Sequence, residues 1–170
     1  MTPFDLLIAA VALERLAELV LSTRHARWAF DRGGLEAGRS HYPPMVVLHA
    51  GLLVACVVEV HAADRPFVPV FGWLALAAAL GSQALRWWCI GTLGRQWNTR
   101  VIVVPGLSLI ERGPYRWLRH PNYVAVVAEG IALPLVHAAW LTALVFTVLN
   151  AVLLLRFRIP VEERALVGAS

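Results

Sequence analysis

The sequence predicts an all-α protein, a polytopic membrane helical bundle of about five transmembrane helices that ends in a helical hairpin. Three observations carry that prediction. Of 170 residues, 59% are hydrophobic and 15% charged, against about a quarter charged in an average soluble domain, and the mean hydropathy is +0.65. Five apolar blocks, at 4–21, 45–60, 67–89, 123–138 and 140–157, are separated by polar connections. Crossing a hydrocarbon core of about 30 Å takes roughly 20 apolar residues in a helix, so the length admits little beyond these five. The arginines fall on alternate connections: Arg24, Arg27, Arg32 and Arg39 after the first block, Arg95, Arg100, Arg112, Arg116 and Arg119 after the third, and Arg158 and Arg164 in the tail. The other connections hold only Arg65 and the uncharged "VHAAW". By the positive-inside rule the expectation is a multi-pass protein of the cell membrane, its N-terminus outside and its tail in the cytoplasm.

The first block carries Glu14, Arg15 and Glu18 and lacks a basic segment before it, so it reads as a span and not as a cleavable signal. Glu14 and Glu18 share a helix face, and Arg15 can pair with Glu18. Such charges usually face a bundle interior, where they act as helix–helix glue. The connection "FDRGGLEAGRSHYPP" reads as a cytoplasmic loop. The second block contains His49 and Glu59, the latter near its outer end and within reach of interfacial water. The third block ends at Cys89, which, like Cys56, stands alone, without the spacing of a redox or metal site. Pro134 and the minimal connection His137 to Trp140 turn the last two blocks into a tight antiparallel hairpin. The organisation expected is an N-terminal helix pair at 1–66 and a core at 67–170.

Two polar runs bracket that hairpin: "GPYRWLRHPNY" (Gly113 to Tyr123) leads in and "RFRIPVEERAL" (Arg156 to Leu166) leads out. A hairpin brings its ends together, so rings (Tyr115, Tyr123), cations (Arg119, His120, Arg158) and carboxylates (Glu162, Glu163) converge on one face. That set suits a zwitterion with a flat ring. Arginines and aromatics at a boundary also serve as plain interfacial anchors. Glu129, about two turns into the fourth block, lies near enough to line a cavity.

The order Gly113, Tyr115, Arg119, His120, Pro121, Tyr123, then Arg158, Glu162, Glu163 and Leu166, resembles the isoprenylcysteine carboxyl methyltransferase family of integral-membrane enzymes over roughly residues 70–168. "ERLAELVLS" and "HYPPMVVLH" are similar to the N-terminal part of its small bacterial branch. The resemblance implies S-adenosylmethionine as cofactor, held without a Rossmann domain; the sequence has only "GTLG" at the end of a span, not GxGxxG after a strand. It further implies that Leu107, Leu109, Ile110, Tyr115, Arg119, His120, Pro121, Asn122 and Tyr123 cradle the cofactor, and that Glu162, with Glu163 beside it, takes its ammonium group. Arg158 then addresses the acceptor's anionic oxygen. "LSLI" stands where eukaryotic members have a polar stretch, which leaves backbone contacts there. The acceptor implied is lipophilic, entering from the bilayer among membrane lipids: a prenylcysteine-like carboxylate or an alkylpyrone-like enol. A carboxylate needs no general base at neutral pH. A hydroxyl does, and His120 or Glu129 are the candidates. No metal and no nucleic acid enters this reading. Phospholipid N-methyltransferases share a looser form of the motif and are the nearest alternative, and a small transporter or non-catalytic subunit is the alternative of another class.

Overall fold

The computed structural model, which describes residues 1–167, opens on helix α1 (Pro3–Phe30). Its start is a capping box: the Thr2 hydroxyl accepts from the Asp5 amide at 3.2 Å and the Asp5 carboxylate accepts from the Thr2 amide at 2.7 Å, with Pro3 in the first turn. α1 continues past the expected end at residue 21, because "STRHARWAF" holds neither Gly nor Pro and buries Ser22, Ala26 and Ala29. Helices α2 (Tyr42–Ala62), α3 (Pro69–Leu93) and α4 (Pro121–Leu135) each begin with proline in the first turn, where its missing N–H is not needed.

α4 and α5 (Trp140–Leu153) form the expected hairpin. The turn is closed by Ala138 in the left-handed region, φ +53°. Gly130 lets the arms touch: a Cβ there would lie 2.1 Å from the Phe146 ring. α5 then passes without a break into a π-helical turn, Leu154–Arg158, and helix α6 (Ile159–Val167). α4 also packs along α3, and α2 lies against α5. The apolar core sits at the N-terminal end of α1, where Phe4, Ile8 and Val11 meet Leu52, Cys56, Val60, Leu133, Val136 and Phe146.

The loop after α1 is not irregular throughout, as expected, but holds strand β1 (Leu35–Ala37). It pairs antiparallel with β2 (Val101–Val103), Glu36 opposite Ile102. Glu59 has partners in the protein. Its carboxylate accepts from the Thr142 amide and hydroxyl, both at 2.7 Å, and from Arg65, so it serves the orphan donors at the start of α5. Cys56 and Cys89 are buried free thiols.

Outward faces are apolar: Val47, Val54, Val58, Leu74, Leu80, Leu144, Val148 and Leu155 are all exposed, more than a water-facing surface carries. Two stretches, Arg39–Ala62 and Trp140–Val167, are by length and composition able to cross a membrane, and Pro121–Leu135 is apolar but shorter. α1 and α3 are long enough, at about 42 Å and about 38 Å for a rise of roughly 1.5 Å per residue, but carry charged and amide side chains within them. Length and hydropathy thus single out two crossings of the five expected. Residues 168–170 of the expected 67–170 core lie outside the described residues.

Candidate active site

Two groups of charges occupy different depths of the bundle. The first joins α1, α3 and α4. Arg15 reaches Glu18 and Glu129, each at 2.5 Å; Arg86 reaches Glu129 at 2.5 Å and Glu18 at 3.6 Å. Gln83 and Trp87 donate to Glu14, and the Gln83 carbonyl oxygen accepts from Arg15 at 3.0 Å. Glu18, Arg86 and Glu129 are buried. Their helical spacing explains the meeting: Glu14, Arg15 and Glu18 lie within one turn of α1, and Gln83 and Arg86 within one turn of α3.

The second group lies at the end of the bundle where α4 begins and α5 leaves. His120 precedes proline and keeps an extended φ of −132°, as a residue in that position must, while Tyr123 stands in the first turn of α4. The Tyr123 hydroxyl donates to Glu162 Oε2 and accepts from Arg158 Nε at 3.1 Å. Arg158 Nη2 donates to the Thr99 carbonyl at 2.6 Å. His120 Nδ1 lies 3.4 Å from Glu162, its Nε2 3.5 Å from Glu163, and its ring stacks on Tyr123 with centroids 5.4 Å apart. Arg158 and Glu162, four residues apart, both address one phenol because the π turn ends between them and re-aims the chain.

Electrostatics follow from these contacts. The hydrogen bond to Glu162 holds the His120 imidazole above its usual value, against partial burial. Burial pushes the Glu162 carboxyl up, but the hydrogen bonds from His120 and Tyr123 and the charges of His120 and Arg158 outweigh it, and the net shift is downward. Burial and the nearby Cys89 thiol raise the Tyr115 phenol. The site is a chain of opposite charges strung along a phenol.

Beside it runs an apolar groove of about 460 Å³, with His120 and Tyr123 at its head. Val124, Val127 and Ala128 of α4 form one wall, and Ala151, Leu154, Leu155 and Ile159 the other. Val124, Val127 and Leu155 are exposed, so the groove opens on the outer apolar face.

Of the residues expected at the site, His120, Tyr123, Arg158, Glu162 and Glu163 are brought together. Tyr115 meets Cys89 at the end of α3. Pro121 is buried, and Asn122 Oδ1 is buried without a partner among the described residues. Leu107 and Leu109 are exposed, Ile110 is half-buried, and Arg119 projects from the surface without a protein partner among the described residues. Glu129 is placed apart, in the first group of charges.

Thr99, which orients Arg158 through its carbonyl, and Arg86 were not among the expected residues. Arg86 carried a legible signal, an arginine inside an apolar block. Thr99 carried none, since a backbone carbonyl leaves no mark on the sequence.

The isoprenylcysteine carboxyl methyltransferase family model matches residues 73–168. The uncharacterized protein YpbQ of Bacillus subtilis (strain 168) is 38% identical over 164 residues, covering 96% of each chain. An uncharacterized protein of Haemophilus influenzae (strain ATCC 51907 / DSM 11121 / KW20 / Rd) is 24% identical over 163 residues, covering 95% of this chain and 94% of that one.

Proposed function

Since the chain belongs to the isoprenylcysteine carboxyl methyltransferase family and is a membrane methyltransferase, we propose that it methylates an already ionised oxygen of a lipophilic acceptor, with S-adenosylmethionine as donor. The observation that carries this reading is the Tyr123 hydroxyl bridging Arg158 and Glu162 at the head of an apolar groove. A charged site and a hydrocarbon channel meet there.

The residues fit the cofactor. Asn122 Oδ1, buried and unpartnered, and the Glu162 carboxylate are acceptors for an ammonium group, and His120 and Arg119 are cations for the carboxylate beside it. Leu107, Leu109 and Ile110 offer apolar surface to the adenosine, and the Tyr115 and Tyr123 rings suit a sulfonium, a contact worth about 0.5–2 kcal/mol. When bound, the cofactor supplies an electrophilic methyl group, so the protein's task is alignment and exclusion of water. Arg158 keeps N–H donors beyond the two given to Tyr123 and Thr99, and its planar fork holds the acceptor's oxygen. The groove takes the hydrocarbon chain, and the polar end of the bundle faces the cytoplasm.

The state of the two candidate bases argues for an ionised acceptor. Glu129 is clamped by two guanidiniums, which stabilise its anion and make it a poor proton acceptor; it serves as a structural anchor. Both ring nitrogens of His120 are turned to carboxylates, Nδ1 3.4 Å from Glu162 and Nε2 3.5 Å from Glu163, a pairing that favours the protonated ring. A carboxylate or an acidic enol needs neither, whereas the ammonium of a phospholipid headgroup must first lose a proton.

The test is incubation of the purified chain with methyl-labelled S-adenosylmethionine and a total lipid extract of the source organism, with mass identification of the product. A methyl ester or enol ether is expected. An N-methylated phospholipid would overturn the oxygen assignment.

A further inference from the structure

Arg158 is held at two points, both inside residues 73–168 that the family model matches. Its Nε donates to Tyr123. Its Nη2 donates to the carbonyl of Thr99 at 2.6 Å, in a stretch between α3 and β2 without regular backbone pairing of its own. Something else must fix that peptide.

The fixing group comes from the first helix. Ser22 of α1, buried at 3% exposure, accepts from the Thr99 amide at 3.1 Å through its Oγ. The same Oγ lies 2.7 Å from Thr99 Oγ1 and donates to Asn98 Oδ1 at 2.8 Å. The Ser22 carbonyl accepts from Asn98 Nδ2 at 3.1 Å, and Asn98 Oδ1 accepts from the Arg100 amide at 2.9 Å. From α2, the Tyr42 hydroxyl accepts from Thr99 Oγ1 at 3.2 Å, and its ring lies under the Arg100 guanidinium. The pairing of β1 with β2 secures the next residues. β1 is followed by Gly38, whose φ of +64° and absent Cβ let it pass Val161 of α6; a Cβ would lie 2.7 Å from Val161 Cγ1.

We propose that Ser22, supported by Tyr42, is a positioning residue of the transfer reaction: it fixes the Thr99 peptide so that its carbonyl turns the Arg158 fork toward the acceptor oxygen. The N-terminal helix pair, which lies outside the matched residues 73–168, thereby completes the acceptor side of the site. The cofactor side, built on His120, Tyr123 and Glu162, does not touch Ser22. This inference rests on the assignment of Arg158 to the acceptor.

A guanidinium pinned at Nε alone can still tilt about the axis of that one hydrogen bond. The second pin removes that freedom. A polar side chain buried to this degree needs its partners, and Ser22 finds them on Asn98 and Thr99, the residue whose carbonyl holds Arg158.

The test uses the full-length chain in lipid nanodiscs with methyl-labelled S-adenosylmethionine. Three acceptor probes are supplied: N-acetyl-S-farnesylcysteine, an alkyl hydroxypyrone and the lipid extract. Ser22→Ala is expected to lower the rate at saturating cofactor by about ten- to a hundred-fold, the scale of an ångström-sized misplacement, while the cofactor Kd by calorimetry stays within about two-fold, a shift well under 1 kcal/mol. Ser22→Thr, which keeps the hydroxyl, should retain most of the rate. In an Arg158→Lys background Ser22→Ala should add nothing further. A parallel loss of cofactor affinity, or additive effects of the two substitutions, overturns the positioning role and leaves Ser22 as ordinary packing. If Ser22→Ala yields no folded chain, Tyr42→Phe, which removes only the outer contact, must show the same split in milder form or the proposal fails. A normal rate for Arg158→Lys, or no methylation of any probe by the unaltered chain, overturns the functional reading itself, and so separates the two failures.

Discussion

The same side chains, arginine and glutamate, are used at two depths of this bundle in opposite ways. Around Glu129 each carboxylate oxygen meets a guanidinium, and Glu18, Arg86 and Glu129 are buried. Around Glu162 the charges are linked through a phenol and an imidazole, partly exposed, and stand at the head of a groove. Closed pairing in a low-dielectric interior consumes the reactivity of a charge. Open, shared pairing keeps it available to a ligand. The difference teaches that an ionisable residue inside a membrane span is a functional candidate only until its partners are counted.

The largest effect that tests this contrast comes from the closed group. Glu129→Ala leaves Arg15 and Arg86 buried without their shared anion, and breaking a buried pair in this way costs about 3–5 kcal/mol; loss of the folded peak in size-exclusion chromatography, or a collapse of the melting temperature, is expected. Replacing the set together, Arg15→Met, Glu18→Leu, Arg86→Met and Glu129→Leu, should restore much of that stability. Cofactor binding that survives in the restored chain would sharpen the contrast, and its disappearance would break it.

Next in size is Glu162→Gln. The fold should persist, but the cofactor's ammonium loses its charge partner, and cofactor affinity should fall by about 2–5 kcal/mol in calorimetry. Unaltered affinity would move Glu162 into the structural class. Tyr123→Phe should follow, because it removes two hydrogen bonds to charged groups, each worth about 1.5–3 kcal/mol before the site relaxes. The measurable outcome is a lowered rate with the ring contact to the cofactor kept, whereas Tyr123→Leu should lose cofactor affinity as well.

The smallest effect is in pH. His120 has its folded value raised above the ordinary 6.5, so its contribution to stability is complete below that value and fades as pH rises through the raised one. Glu162 has its folded value lowered below the ordinary 4.5, so its contribution is present above 4.5 and is lost as pH falls through the lowered one. The thermal stability of the ligand-free chain should therefore fade as pH rises above 6.5 through the raised His120 value, and His120→Gln should flatten that limb alone. An unchanged alkaline limb would show that the His120–Glu162 contact carries no charge.

Much of this was legible before any coordinates. The apolar blocks placed the helices, Pro134 and the short "VHAAW" connection placed the hairpin, and the two polar runs around it placed Tyr123, Arg158 and Glu162 on one face, because a hairpin must bring its ends together. The apolar blocks at 45, 67 and 123 begin within a few residues of the observed starts of α2, α3 and α4. Other features were not legible. β1 and β2 are three residues each and lie far apart in the chain, too short for an alternating pattern to declare them. Glu59 and Glu129 had the sequence context of water-seeking or cavity-lining groups, and their partners, Thr142 and Arg65 for one and Arg15 and Arg86 for the other, were not legible.

The sequence by itself determined the helical class, the apolar outer surface and the meeting of two charged runs, since these follow from local periodicity, composition and the geometry of one tight turn. Only the tertiary structure decided which charges are silent and which are available. That choice depends on the partners each carboxylate finds across helices remote in sequence, on Arg15 and Arg86 reaching Glu129 from two other helices, and on a Thr99 backbone whose amide donates to a serine of another helix.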